Sequence, residues 1–241
     1  MWWMGLRAAV LGVLLAVTAA GAAQAGPWPR APGAWFVAPE FSIDRSADLH
    51  QLRWQIYLER GLHANWVLGG KLEQDGGWRE SLRASGQGMS RSRAGAELFL
   101  RYHPDLWRDH LASGVELALR SRPASEEAPR SWQPRGALHL GRGFELPGVQ
   151  AWTRLSLDAA PARPGQGWDW GGMAQAGLDW PELGLVWLSA GVSRTDGTII
   201  RRLTLSGGYR VTVRTTLTLG YSQTSGQWRE QGLRLGLWQS F

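Results

Sequence analysis

The segment Leu233-Arg-Leu-Gly-Leu-Trp-Gln-Ser-Phe241 alternates leucine with other residues and closes on phenylalanine. Side chains on a strand point to opposite faces with period two. Leu233, Leu235, Leu237 and Phe241 therefore share one face, and Arg234, Gly236 and Ser240 share the other. One face suits hydrocarbon and the other tolerates water. Stretches of the same period, bounded by turn signals, recur at 34–43, 49–59, 62–72, 91–102, 110–121, 135–144, 149–158, 168–180, 185–194, 199–209, 213–223 and 228–241, which makes about twelve candidate strands. An even number is what a closed up-and-down barrel needs to bring its two ends to the same side. The stretches 73–90 and 122–134, rich in Gly, Ser, Arg, Glu or Pro, read as long external loops, with 78–85 as an alternative strand.

At the other end, Met1 to Ala25 carries Arg7, an apolar run from Ala8 to Ala20 and Ala-Gln-Ala at 23–25, the pattern of a secretory leader with its cleavage site. This predicts a cleaved signal peptide over 1–25 and one domain over 26–241. The apolar run is shorter than the roughly 20 residues a spanning helix needs, and no later segment is apolar for that length. The chain has no cysteine, which excludes disulfides and thiolate metal sites.

Composition points the same way. There are 16 tryptophans and 32 glycines, while mean hydropathy is slightly negative. Tryptophan concentrates where a bilayer meets water, and a barrel gives half of each strand to a polar lumen, which keeps mean hydropathy low. The net charge is +6, with Lys71 the only lysine. No basic run or helix is present to carry nucleic-acid binding, so that class is excluded.

The C-terminal strand with its terminal aromatic resembles that of Gram-negative outer-membrane β-barrel proteins, where it forms part of the signal read by the barrel-assembly machinery. Tyr57-Leu-Glu-Arg-Gly-Leu through Trp66-Val-Leu-Gly-Gly resembles the early hairpin of porin-like proteobacterial barrels. The resemblance implies an all-β, transmembrane, antiparallel up-and-down barrel in the outer membrane. Its partners would be outer-membrane lipid and, through the C-terminal strand, the assembly machinery.

With both ends periplasmic, the even strands descend, and their outward-facing inner ends carry Tyr102, Phe144, Trp180, Tyr209 and Phe241. Trp35 joins them from the start of the first strand. Tyr221, Trp168 and Trp170 fall at the outer side. These two groups read as aromatic girdles. The inner connections around Arg60-Gly61, Asp179 to Gly184 and Arg210-Val-Thr read as short, and the two longest connections fall outside. Outward positions such as Leu52, Trp54, Ile56 and Leu58, or Val115, Leu117 and Leu119, carry no midspan charge.

The opposite face collects Arg53, Arg93, Arg101, Arg120, Arg154, Arg202 and Arg234, with Glu59, Glu97, Glu116, Asp158 and Glu230 among them. Two arrangements are open. Arginines paired to carboxylates make a bonded plug, whereas arginines in excess along one wall make a basic ladder that lowers the barrier for small anions. Gly69, Gly70, Gly171, Gly172, Gly207, Gly208 and Gly220 read as positions of curvature and close packing.

No catalytic, metal or cofactor site stands out. His139 with Ser156 and Asp158 is the nearest approach to a nucleophilic set, but all three face the lumen, whereas a lipid-processing enzyme needs its set at the outer rim on the lipid side. His103 and His110 have no metal spacing, and Glu126-Glu127 reads as solvated charge. The expectation is a narrow passive pore for small, anion-leaning solutes, with Arg53, Arg101, Arg120, Arg154 and Arg234 foremost among the pore-lining candidates. The alternatives are a closed accessory barrel, whose external loops meet an envelope protein partner, and a lipid-modifying enzyme.

Overall fold

The computed structural model describes residues 30–46, 49–63, 65–79, 93–104, 111–122, 131–162, 167–195, 197–226 and 229–241, with backbone alone at 49, 77–79, 93 and 122. The expected leader at 1–25 lies outside these residues. Twelve strands follow in order: β1 (Trp35–Ser46), β2 (Leu49–His63), β3 (Trp66–Arg79), β4 (Arg93–Tyr102), β5 (Ala112–Arg122), β6 (Ser131–Leu146), β7 (Val149–Pro161), β8 (Trp168–Trp180), β9 (Gly184–Thr195), β10 (Thr198–Thr212), β11 (Thr215–Ser225) and β12 (Arg229–Ser240). Each pairs antiparallel with its sequence neighbours, and β1 pairs with β12 to close an up-and-down barrel.

Closure satisfies the backbone groups that an open edge would leave bare in hydrocarbon. Phe41 lies opposite Leu235 and Ile43 opposite Leu233. The ladder extends to the terminal residue: the Phe241 N–H donates to the Trp35 carbonyl at 3.0 Å, and the Trp35 N–H to the Phe241 carbonyl at 3.3 Å. The terminal phenylalanine thus sits beside Trp35 at the seam.

Two expected loops are shorter than the composition suggested. Glu73 to Arg79 belong to β3, in register with β2 through Arg53 opposite Asp75 and Leu49 opposite Arg79. Gly76 and Gly77 pair with Leu52 and Gln51 of β2, past the point where the ladder to β4 ends at Asp75. Of the alternative strand at 78–85, Trp78 and Arg79 belong to the end of β3, and the rest lies outside the described residues, as does 80–92 as a whole. Likewise Arg122 ends β5 and Ser131 opens β6, which leaves 123–130 as the connection. Arg60-Gly61 is not a turn: β2 continues through a bulge between Gly61 and His63. Arg210 to Thr212 likewise remain in β10, with a bulge between Arg210 and Thr212. One inner connection, 103–111, outruns the outer one at 123–130, so the length asymmetry is less clean than the sequence implied.

The outward face is continuous and apolar. Leu98, Leu100, Val115, Leu117, Leu119, Leu138, Leu140, Leu155, Leu157, Leu203, Leu205, Leu217, Leu219, Leu233 and Leu235 are all exposed, as lipid-facing residues are when no lipid is present. At the inner rim Trp35, Trp180, Tyr209 and Phe241 are exposed, and Trp168, Trp170 and Tyr221 are exposed toward the outer rim. Tyr102 packs on Trp66 with ring centroids 4.8 Å apart. Phe144 departs from the girdle reading. It has the outward parity but is buried, with the Arg142 guanidinium 5.1 Å from its ring centroid. Parity along a strand gives direction and not coverage.

The Trp66–Tyr102 pair is expected to contribute about 0.5–1.5 kcal/mol beyond its area burial. A double-mutant cycle with Trp66→Leu and Tyr102→Leu, read by denaturant unfolding from vesicles, should return a coupling in that range. A coupling of zero would mean that the two rings act independently at the interface.

Candidate functional site

Within the barrel lies a cavity of about 910 Å³. On β8 its lining runs from Gly171 to Asp179, and on β9 from Leu185 to Ser193. Eight steps of strand at 3.3 Å each make about 26 Å along the strand, or about 20 Å of barrel height at the usual tilt of about 40°. A second space of about 270 Å³ shares Glu40, Gln175, Trp187, Arg202 and Trp238 with it and extends toward Ser206, Thr218 and Arg234.

One wall, built by β2 and β4–β6, is tied together by charge. The Arg101 guanidinium reaches Glu59 at 2.8 Å and Glu116 at 2.6 Å, and donates to the Tyr57 hydroxyl at 3.2 Å. Tyr57 donates to Glu59 at 2.5 Å. Arg135 reaches Glu116 at 2.5 Å, Glu97 at 2.8 Å and Asp158 at 3.9 Å. From the segment before β1, Arg30 reaches in to Glu59 at 2.8 Å and lies 4.3 Å over the Phe36 ring. The planar guanidinium fork can serve two carboxylates at once, which lets an alternating set of charges satisfy itself out of bulk water. This wall is the bonded plug.

The other wall is different. Arg154, on β7, donates from Nε to the Ser156 hydroxyl at 3.1 Å, and its Nη2 lies 3.5 Å from His139 Nδ1. Arg202, on β10, donates to the Thr224 hydroxyl at 3.1 Å. Neither has a carboxylate within 4 Å among the described residues. By contrast, every carboxylate lining the large cavity has a guanidinium within 4 Å. Glu59, Glu97, Glu116 and Asp158 are held as above, Glu40 by Arg234 at 3.6 Å, and Asp179 by Arg210 at 2.9 Å. The large cavity's lining carries five arginines and six carboxylates, and the two arginines with no carboxylate beside them are Arg154 and Arg202.

The lumen also carries rings. Trp187 and Trp238 lie with centroids 5.0 Å apart, Trp238 and Phe36 6.2 Å, Phe36 and Tyr57 6.4 Å, and Tyr57 and Phe99 5.7 Å. Trp152 faces the same space from β7. Two glycines make room for them. A side chain at Gly177 would stand 2.6 Å from the Trp152 ring, and one at Gly69 would collide with the Phe99 ring. The rings therefore lie against neighbouring strands.

Of the expected lumenal residues, Arg101, Arg154, Arg202, Glu97 and Glu116 line the large cavity, and Arg234 lines the small one. Arg53 and Arg120 line neither. Arg120 is half exposed and 3.3 Å from Glu73, which Lys71 also holds at 2.6 Å. The Arg93 side chain lies outside the described residues. The arginine excess read from the sequence shrinks because Glu40, Asp44, Glu73 and Asp75 stand on inward positions beside the arginines, as their pairing with Gln55, Arg234, Gln51, Lys71 and Arg120 shows for three of them. Arg30, Arg135 and the lumenal aromatics were not singled out. Arg135 sits at the assigned start of its strand, where it reads as a turn residue.

His139 and Ser156 do meet, Nδ1 to Oγ at 3.0 Å. The carboxylate at the far side of the imidazole is Glu116, 3.4 Å from Nε2, and not Asp158. Nε2 has no hydrogen-bond partner, Glu116 is committed to two arginines, and Arg154 donates into the serine hydroxyl. The set is part of the lumenal network. His110 and Glu126-Glu127 lie outside the described residues.

His103, just past β4, is buried and donates through Nδ1 to the Ser113 carbonyl at 3.0 Å. Burial pushes its pKa from 6.5 down to about 4, against the opposing effect of that bond. Between those values the unfolded chain binds a proton that the folded barrel refuses. The contribution of this group to stability is thus expected to fall as pH drops from about 6.5 to about 4 and to be constant below that. His103→Asn should flatten that slope in equilibrium unfolding; an unchanged slope would place its origin elsewhere.

No protein-family model matches the chain, and no curated protein matches its sequence. Solved structures match its shape. The COG4313 outer-membrane channel from Pseudomonas putida F1 superposes with a TM-score of 0.64 at 12% identity, over 91% of this chain and 100% of that one. The KdgM porin gives 0.56 at 11% identity over 85% and 99%. Outer-membrane phospholipase A from Escherichia coli gives 0.51 at 14% identity over 83% and 92%. The chain thus has the fold of Gram-negative outer-membrane barrels. Since that fold carries both channels and an enzyme, the lumen has to supply the argument for activity.

Proposed function

We propose that the protein is a narrow passive pore of the outer membrane for small solutes, with a mild preference for anions. The observation that carries this reading is a cavity running about 20 Å of the barrel's height, in which each lining carboxylate has a cationic partner while Arg154 and Arg202 have no carboxylate beside them. Backbone-bonded walls give a rigid conduit, and a guanidinium with no carboxylate beside it in a confined aqueous space raises the anion concentration around it. Neighbours of the same fold that are described as a channel and a porin support the pore class. In this reading the leucine-rich outer face contacts lipid, the C-terminal strand is the element met by the assembly machinery, and the leader over 1–25 directs export.

Single-channel recording of the refolded barrel in a planar bilayer, under a salt gradient, tests the proposal. Stable current steps with a reversal potential on the anion side are the expected result. A folded but silent barrel would overturn it and favour the closed accessory role, with the 80–92 and 123–130 connections as the surface for an envelope protein partner.

A further inference from the structure

We infer that the open wall of the lumen is a binding site for a carboxylate carried on a ring with a flat apolar face, its ring laid on the Trp152, Trp187 and Trp238 side chains and its carboxylate on Arg154. The inference rests on the pore reading for the ligand's route and on the cavity itself for its place.

The backbone register puts the parts together. Trp152 on β7 and Trp187 on β9 are both opposite Gly177 on the strand between them, and the Trp152 ring lies over that glycine, on the side of Trp187. Trp238 continues the surface at 5.0 Å from Trp187, and Phe36 follows at 6.2 Å. Arg154 is the next inward position along β7 from Trp152, and it lies opposite Gly141 on one side and Gln175 on the other. Its guanidinium has spent one N–H on Ser156 and stands beside His139, with the remaining donors facing the cavity.

The chemistry follows from that arrangement. Tryptophan faces hold planar or CH-rich faces by dispersion and quadrupole interactions, and an arginine with free donors takes a carboxylate in two parallel bonds. Filler would be expected to pair its charges, as the β2–β6 wall does, or to close the space. Here about 910 Å³ stays open, within the usual range for small-molecule sites. A ring or a carboxylate alone would use half of the wall.

Two sources share this chemistry, an aromatic acid and a sugar acid, so the probes are benzoate and galacturonate, with acetate and benzyl alcohol as controls. Binding is read by quenching of tryptophan fluorescence in the detergent-folded barrel and by block of single-channel current, each barrel being checked for folding by heat-modifiable gel mobility. Benzoate or galacturonate, or both, should act at concentrations at least tenfold below acetate and benzyl alcohol. Which of them acts tells aromatic acid from sugar acid. Trp187→Leu with Trp238→Leu should abolish the difference, and Arg154→Gln serves as the second test if that pair does not fold. If neither ring acid acts below acetate, the inference falls. Quenching by benzoate in a barrel that carries no current would overturn the pore and leave the site standing. Current that treats both ring acids like acetate would do the reverse.

Discussion

Replacing Arg101 with methionine is expected to cost the barrel about 3 kcal/mol of stability. Methionine keeps the stem beside Gly114 but removes the guanidinium that lies over Phe99 and is shared by Glu59 and Glu116, whose side chains are 4% and 3% exposed. Losing one partner of a buried ionic set leaves the others desolvated and unpaired, which costs about 3–5 kcal/mol in measured cases. The low end applies because Arg30 still holds Glu59 and Arg135 still holds Glu116. Denaturant titration of the vesicle-inserted barrel, followed by tryptophan fluorescence, reads the loss. The triple variant R101M/E59Q/E116Q should recover most of it, since neutral amides carry a smaller desolvation cost. A loss below about 1 kcal/mol for the single variant would mean that water screens the cluster as it does a surface pair.

The outer face was the legible part of this barrel. Period-two leucines at 233, 235 and 237 leave no choice of direction, because one step of slip would turn every apolar side chain of the strand into the lumen. All twelve strands were therefore placed, and errors collected at their ends. Glycine at 76 and 77 reads as loop chemistry, yet pairing with β2 overrides it. The lumen was less legible for a related reason. Its residues are selected by partners on other strands, and register is needed to know that Arg101 faces Glu116 or that Gly177 separates two indoles. Phe36, Tyr57, Trp152, Trp187 and Trp238 already had the inward parity. Reading aromatics for girdles directed attention to the opposite face, although no outward role was open to them.

Neutralising Arg154 and Arg202 together, as R154Q/R202Q, is expected to remove most of the anion preference while leaving conductance steps intact. Both line the large cavity without a carboxylate within 4 Å among the described residues, so their field reaches passing ions as well as the wall. A unit charge about 5 Å from an ion in water contributes about 0.8 kcal/mol, or about fourfold in local ion concentration. Physiological salt, with a Debye length of about 8 Å, reduces this only in part at such range. Two such charges raise the anion share around them several-fold, and losing both leaves the lining carboxylates in excess, so the reversal potential should move away from the anion side. Arg120→Gln is the comparison: that side chain is half exposed, bound to Glu73 and absent from the cavity lining, so its removal should shift the potential far less. If both variants shift it equally, selectivity comes from the mouth of the barrel, and the uncompensated pair inside has no part in choosing the ion.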